Sequence, residues 1–478
     1  MATLGGGLNV YSWKKPRLTG IFLLSCRVLT FLKESVSLRP VIIASCFLFV
    51  TLWSYPGKAQ TASPAQSTTA STQAPSAQSG PTTQYTLPPD KLAKAKALYD
   101  ISGRLRVIST IWGFVVLIGI LYVGVVARFR NWAERAATNS FLQALIVIPL
   151  FIIILNVLDW PLAAYGHRIS LQYGLSVQHW GSWFGDLLKG LAISIVISTF
   201  ALWGMIRVIR WSPKRWWFYF WLIALPFIVF FTIITPIVID PMFNKFEPLD
   251  KTNPQLVDAI EKVVHRAGMT IPRDRMFLMK ASEKTTTLNA YVTGFGPSKR
   301  VVVWDTTIQK ATTPETLFVF GHEMGHYVLN HVVIGICAGA VGLLIGLFLL
   351  YLLSGWFLRR WGARWQIREL GDWAALPMIF LIFSILGFFA TPIESSVSRV
   401  LEHNADVYGL EVTHGINANP QEAAAHAFQT LGELSLDYPN PSKLVVFWYY
   451  SHPTIADRVR FAHNYDPWAK GEQPRYVK

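Results

Sequence analysis

The sequence describes a mainly α-helical, polytopic membrane protein that carries one small α+β unit, and three observations lead there. Residues of the AVILMFWYC set make up 52% of the 478 and charged residues only 15%, with a mean hydropathy of +0.35, whereas an ordinary soluble domain is roughly 25% charged. Six apolar stretches, near 107–127, 141–160, 187–208, 216–239, 332–354 and 373–393, each approach the roughly 20 helical residues that cross a hydrocarbon core. Tryptophans gather at the ends of those stretches, at Trp132, Trp160, Trp211, Trp216, Trp356, Trp361 and Trp373, the depth at which an amphipathic ring meets both acyl chain and headgroup. A buried core helix can imitate one such stretch, but not six in one chain.

Residues 1–59 read as a basic region followed by a signal peptide or retained anchor. Lys14, Lys15, Arg17, Arg27, Lys33 and Arg39 precede the apolar run VIIASCFLFVTLW at 41–53, and Ala59 is a suitable cleavage point. Residues 60–92 read as a linker. From Gln60 to Pro88 it is Ser, Thr, Ala, Gln and Pro without apolar period, too little burial to offset the entropy of ordering.

Residues 93–239 then hold four membrane helices and 332–393 a membrane hairpin. The spans carry almost no charge, with Asp159, Lys189 and Arg207 all near their ends, which speaks against a transporter or pump, since those need ionisable groups at mid-membrane. The short connections report orientation. Arg128, Arg130 and Arg135, then Arg207, Arg210, Lys214 and Arg215, then Arg359, Arg360, Arg364 and Arg368 make three of them basic, while 161–186 has only Arg168. The positive-inside rule puts those three in the cytoplasm and the polar segments 240–331 and 394–478 on the other side. The formal charge of +15 is thereby largely accounted for, and no nucleic-acid partner is needed. Cys26, Cys46 and Cys337 lack metal-ligand spacing and cannot frame a disulfide scaffold.

The segment 240–331 carries the soluble signals. Asn253 and Pro254 suit a helix start, Leu256, Val257, Ile260, Val263 and Val264 form one apolar stripe, and Gly268 stands where the helix should stop. Arg275–Lys280, Asn289–Thr293 and Arg300–Trp304 are β-prone, with the turn-forming G-F-G-P-S-K at 294–299 between the last two. Thr313 and Pro314 open a second helix, and on it stands H-E-M-G-H, residues 322–326. Histidines four apart share a helix face, so His322 and His326 can bind one Zn²⁺, while Glu323 can take the proton of an attacking water. A catalytic zinc needs a third protein ligand. The position that would supply a histidine in the metzincin pattern is Val332, and His331 falls one residue early. In the segment 394–478, Glu402 and Asp406 stand four apart in S-R-V-L-E-H-N-A-D, which suits a ligand with a carboxylate that orients a zinc-bound histidine. Glu394, His403 and Glu411 compete for the same role.

Five ordered motifs, L-N-A-Y-V-T-G-F (288–295), V-V-V-W-D-T (301–306), G-H-E-M-G-H (321–326), S-R-V-L-E-H-N-A-D (398–406) and Y-S-H-P-T-I-A-D-R-V (450–459), together with D-P-M-F-N-K-F-E-P-L (240–249), resemble the type I CAAX prenyl endopeptidases, membrane zinc proteases of the a-factor-converting kind. The resemblance runs over about residues 95–465. It implies a gluzincin-type centre with one Zn²⁺ per chain, Glu402 as third ligand and Asp406 behind it. It places Asn289, with Ala290 and Tyr291, on an edge strand that receives the substrate backbone. His452 and Arg458 would flank the site, His452 donating to the developing oxyanion, and the membrane helices would enclose a chamber. The expected activity is hydrolysis of a peptide or protein substrate, lipidated or membrane-embedded.

The exported front end departs from that family's pattern and looks bacterial, which suggests an inner-membrane location. A host without prenylated proteins would turn the same chemistry to membrane proteins or lipopeptides. The eukaryotic relatives are thought to face the zinc toward the cytosol, whereas these loop arginines favour the other face. Two other classes remain weaker. A scaffold with a structural zinc has no use for Glu323, and a site-2-type intramembrane protease needs the motif inside a span, whereas here Asn330 and His331 separate it from one.

Overall fold

The structure, a computed structural model, describes residues 84–294 and 299–477. The expected signal or anchor, most of the linker and the tip of the 294–299 turn lie outside the described residues. Among those described, six helices are long and apolar enough to cross a membrane. They are α1 (Pro89–Val123), then, after α2 (Val125–Ala136), α3 (Ser140–Gln172), α4 (Trp180–Trp211) and α5 (Trp216–Ile234), which continues through a π turn to Phe243, and later α8 (His331–Trp361) and α9 (Leu376–Thr413). The protein is a multi-pass integral membrane protein.

The helices outrun the apolar stretches that announced them. The connection read at 161–186 shrinks to a few residues, because α3 runs to Gln172 and α4 starts at Trp180. Apolarity marks only the turns that meet lipid, whereas the polar extensions are held by packing on one another. His167, in the extension of α3, is buried and stacks on Trp183 of α4 at 4.9 Å. Asn156 satisfies itself within its span by donating from Nδ2 to the Ile152 carbonyl at 2.9 Å, as a polar group away from water must.

The three basic connections meet at one end of the bundle. Arg130 donates to the Gln366 carbonyl at 2.9 Å and pairs with Asp372 at 2.5 Å, both buried. Arg210 donates to the Gly371 carbonyl at 2.8 Å, and Arg368 pairs with Glu134 at 2.7 Å. Each of these bonds ties two different connections together.

After α5 comes a four-stranded sheet of β1 (Phe246–Pro248), β2 (Met276–Met279), β3 (Ala290–Thr293) and β4 (Arg300–Trp304), in the order β1-β2-β4-β3. β1 and β2 are antiparallel, β2 and β4 parallel, β3 and β4 antiparallel with Tyr291 opposite Val302. β1, only three residues long and ending on Pro248, shows no alternation in sequence that could have announced it. Between β1 and β2 lies α6 (Pro254–Arg266), whose stripe of Leu256, Val257, Ile260, Val263 and Val264 is buried. That stripe packs with Met276, Val301 and Val303 of the sheet and with Phe320 and Met324 of α7 (Thr313–Val328).

α7 begins with a capping box: Thr312 N donates to Glu315 Oε2 at 2.9 Å, and Glu315 N donates back to the Thr312 hydroxyl, worth about 1 kcal/mol. It stops at Val328, where Asn330 takes φ 57° and redirects the chain into α8 (His331–Trp361). α9 (Leu376–Thr413) is a single 38-residue helix. Residue 394, read from the sequence as the start of a separate polar segment, falls inside it, because loss of hydropathy does not interrupt a helix that keeps its backbone bonds. α10 (Pro420–Leu434), α11 (Lys443–Tyr449) and α12 (Ile455–Asn464) complete the chain.

Candidate metal centre

The histidine pair and the acidic pair are brought together by small residues. On α7, Gly321 and Gly325 face Gly409 and Ala405 of α9. A Cβ on Gly325 would meet Ala405 Cα at 3.2 Å and Tyr408 Cβ at 3.0 Å, and one on Gly409 would meet the His322 backbone nitrogen at 3.0 Å. The two backbones therefore run in close contact along the turns that carry His322, His326, Glu402 and Asp406. α9 begins beside the basic connections, and Glu402 lies 26 residues further along it, about 39 Å at the helical rise. The cluster thus sits at the other end of the bundle.

His322, His326 and Glu402 converge. The two Nε2 atoms are 3.1 Å apart, His322 Nε2 is 3.3 Å from Glu402 Oε2, and His326 Nε2 is 3.4 Å from Glu402 Oε1. His322 and Glu402 are buried and His326 is half-buried. Among the described residues this is the group of His, Cys, Asp and Glu whose ligand atoms could share one ion. A tetrahedral zinc with bonds of roughly 2.0–2.1 Å separates its ligand atoms by about 3.3 Å, so the donor set fits that ion.

The far side of each imidazole is occupied. His322 Nδ1 lies 2.7 Å from Asp406 Oδ1, and Asp406 also accepts from Arg458 Nη2 at 2.6 Å and Nε at 3.0 Å. Asp406 and Arg458 are both buried, and the guanidinium lies 4.1 Å from the centroid of the Phe428 ring. Arg458 therefore acts from behind the site, through Asp406. With Nδ1 of His322 committed to the carboxylate, its Nε2 lone pair faces the cluster. His326 Nδ1 meets His331 Nδ1 at 3.1 Å. His331 was legible only as a histidine one place off a ligand pattern, and its contact with His326 depends on the bend at Asn330.

Glu323 projects beside the cluster, Oε1 4.0 Å from His322 Nε2. His452 comes from the connection between α11 and α12, its Nε2 3.3 Å from Glu402 Oε2 and its side chain 39% exposed. The other candidates lie elsewhere. Glu394 is exposed, and His403 packs on the Phe461 ring at 4.6 Å. Glu411 is buried and accepts the backbone N–H groups of Arg475, Tyr476 and Val477 at 2.6, 2.6 and 2.9 Å, together with the Tyr465 hydroxyl.

β3 is an edge strand beside α7. Asn289, just before it, turns its backbone inward: its carbonyl accepts from Trp304 N at 3.1 Å and from the Thr307 hydroxyl at 2.7 Å, and its N–H donates to that hydroxyl at 2.9 Å. By antiparallel alternation the backbone of Ala290 and Val292 then faces the open edge, while Tyr291 faces β4. Burial, with Asp240 nearby, pushes the Tyr291 phenol above its usual range, so that group stays neutral.

Comparison with known proteins agrees with this architecture. Residues 250–466 match the model of peptidase family M48, and residues 72–245 match the model described as CAAX prenyl protease N-terminal, five membrane helices. An uncharacterized metalloprotease of Bacillus subtilis (strain 168), YhfN, is 36% identical over 78% of this chain and 86% of that protein. CAAX prenyl protease 1 of Saccharomyces cerevisiae is 27% identical over 67% of this chain and 72% of that protein. The crystal structure of S. mikatae Ste24p superposes with a TM-score of 0.68 at 21% identity, covering 79% of this chain and 90% of that one. In class the protein is a membrane metalloprotease. The chain belongs to peptidase family M48.

Proposed function

We propose that the protein is a zinc endopeptidase that hydrolyses peptide bonds at the membrane, with His322, His326 and Glu402 as metal ligands. The observation that carries this reading is the convergence of those three side chains at 3.1 to 3.4 Å, with Glu323 alongside. A zinc ion held there supplies Lewis acidity to the scissile carbonyl and acidifies a water molecule. Glu323 takes the proton from the attacking water and returns it to the leaving amine. His452, on the exposed side, donates from Nε2 to the developing oxyanion. Asp406, itself held by Arg458, keeps the proton of His322 on Nδ1 and orients the ring.

The substrate adds to the sheet as a further strand along β3, through the outward backbone of Ala290 and Val292, with the exposed Asn289 and the half-buried Tyr291 at its side. Its class is a peptide or protein that reaches the site from the bilayer. Relatives named CAAX prenyl proteases favour a lipidated carboxyl-terminal segment, and the similarity to a metalloprotease of Bacillus subtilis favours a bacterial membrane protein or lipopeptide. The convergence of three basic connections at the end remote from Glu402 supports an extracytoplasmic active site in the inner membrane. Residues 240–331 and the chain after 394 would together form the protease unit on the membrane helices.

The test pairs the purified protein with Glu323→Gln against prenylated and unprenylated peptides, with zinc quantified in each. Wild type should cleave, and Glu323→Gln should keep its zinc and lose about 10²- to 10⁴-fold in turnover. A variant that cleaves normally would overturn the assignment of the base.

A further inference from the structure

We infer that Arg399 is a positioning residue that holds His452 at the mouth of the metal centre, an inference that rests on the protease reading above. Arg399 stands on α9 one helical turn before Glu402. Its Nη1 donates to two backbone carbonyls of the α11 region, Val446 at 2.9 Å and Tyr450 at 2.6 Å, and its Nη2 donates to the Ser396 hydroxyl at 2.8 Å. One turn earlier, the Ser395 hydroxyl donates to the Trp448 carbonyl at 3.3 Å. The Trp448 and Tyr450 carbonyls lie at and just past the end of α11, where a helix leaves its acceptors without intrahelical partners, while the Val446 carbonyl also accepts from Tyr450 N at 3.2 Å.

Packing on that helix is sparse: Trp448 meets the Phe388 ring of α9 at 5.0 Å, and Arg106 of α1 lies 4.4 Å from the Tyr449 ring centroid. α11 has seven residues and no buried one, and Leu444 and Phe447 are 68% and 50% exposed. The bonds from α9 supply the polar registration of the end of α11, which leads directly into Ser451 and His452. Ser451 Oγ lies 3.0 Å from His452 Nδ1, and His452 Nε2 lies 3.3 Å from Glu402 Oε2. A hydroxyl donated to Nδ1 keeps the ring proton on Nε2, where an oxyanion donor needs it. The imidazole is therefore aligned with Glu402 because both are referenced to the same helix. A forked guanidinium reaches several acceptors at once, which an ammonium on a flexible stem does not.

The test measures kcat, KM and bound zinc for Arg399→Lys, Ser395→Ala, His452→Ala and the double variant Arg399→Lys/His452→Ala, using the internally quenched peptide that the wild type cleaves best. Arg399→Lys should lower kcat by about tenfold or more, as a misplaced group does, with KM and zinc unchanged. In the His452→Ala background it should cost less than about a further twofold, since the pair acts as a unit. Ser395→Ala should act in the same direction more weakly, and stands in if Arg399→Lys does not fold. Multiplicative losses in the double variant, an unchanged kcat, or loss of zinc would overturn the inference. A wild type that cleaves no peptide would count against the protease reading alone. The clamp is then judged by the imidazole ¹⁵N resonances of His452, assigned through His452→Ala, which should move in Arg399→Lys and would stay in place if the guanidinium positions nothing.

Discussion

Asp406 Oδ1 lies 2.7 Å from His322 Nδ1, and both residues are buried. This contact decides which nitrogen of His322 faces the metal position, and it is maintained from behind by two bonds from Arg458. Asp406→Asn replaces one acceptor oxygen with a donor and removes the charge opposite both partners. Zinc affinity should fall by about 10- to 100-fold, read by titration against a competing chelator. Arg458→Ala should be worse for the fold, because it leaves a buried carboxylate without its cation, a loss of about 3–5 kcal/mol that thermal unfolding in detergent would show.

Glu402→Ala removes the carboxylate that α9 brings to the cluster while leaving the histidine pair in place. Bound zinc should be lost on dialysis and the fold retained, since a truncated acid at this position leaves no unpaired charge behind. Zinc at the wild-type stoichiometry would remove Glu402 from the ligand set.

Gly325→Ala tests the close approach of α7 and α9. The added methyl meets Ala405 Cα at 3.2 Å and Tyr408 Cβ at 3.0 Å, and neither atom is the end of a flexible chain. The helices must part, at a cost of about 1–3 kcal/mol, and the ligand atoms part with them. Both unfolding temperature and zinc affinity should fall. Gly342→Ala, where nothing lies within 4 Å of the added carbon, should change neither.

Proline substitutions along β3 separate strand addition from sheet integrity. Val292 turns its N–H to the open edge, so Val292→Pro should leave the sheet intact and raise KM by weakening substrate pairing. Tyr291→Pro breaks the ladder to β4 and should lower stability. Equal KM in Val292→Pro and wild type would exclude β3 as the docking edge.

Removal of residues 475–478 should destabilise the protein beyond the loss of Tyr476 and Val477, which are only half-buried against the core. Buried Glu411 loses the three backbone donors of Arg475, Tyr476 and Val477, and the desolvation of an orphaned acceptor costs about 1–3 kcal/mol or more. The unfolding temperature of the truncated chain checks this.

Much of the protein can be read from local pattern. Each membrane helix announces itself by a run of apolar residues that only lipid can accommodate, α6 by its stripe, and α7 by its cap and by histidines spaced to share a face. The partners of those histidines are far away in the chain. Spacing alone leaves Glu402 and Glu411, two acids on the same helix, in competition, and only the motif resemblance favours Glu402; in the structure one reaches the centre and the other is consumed by the carboxyl-terminal tail. The choice depends on which face of α9 meets α7, and hence on how closely glycines allow two backbones to approach. Likewise, loss of hydropathy near residue 394 looks like the end of a span, yet the helix continues unbroken to Thr413 and carries Glu402 beyond its apolar stretch. Periodicity and composition are properties of neighbouring residues, so they fix segments. The centre is made by contacts between segments, and only packing in three dimensions determines those.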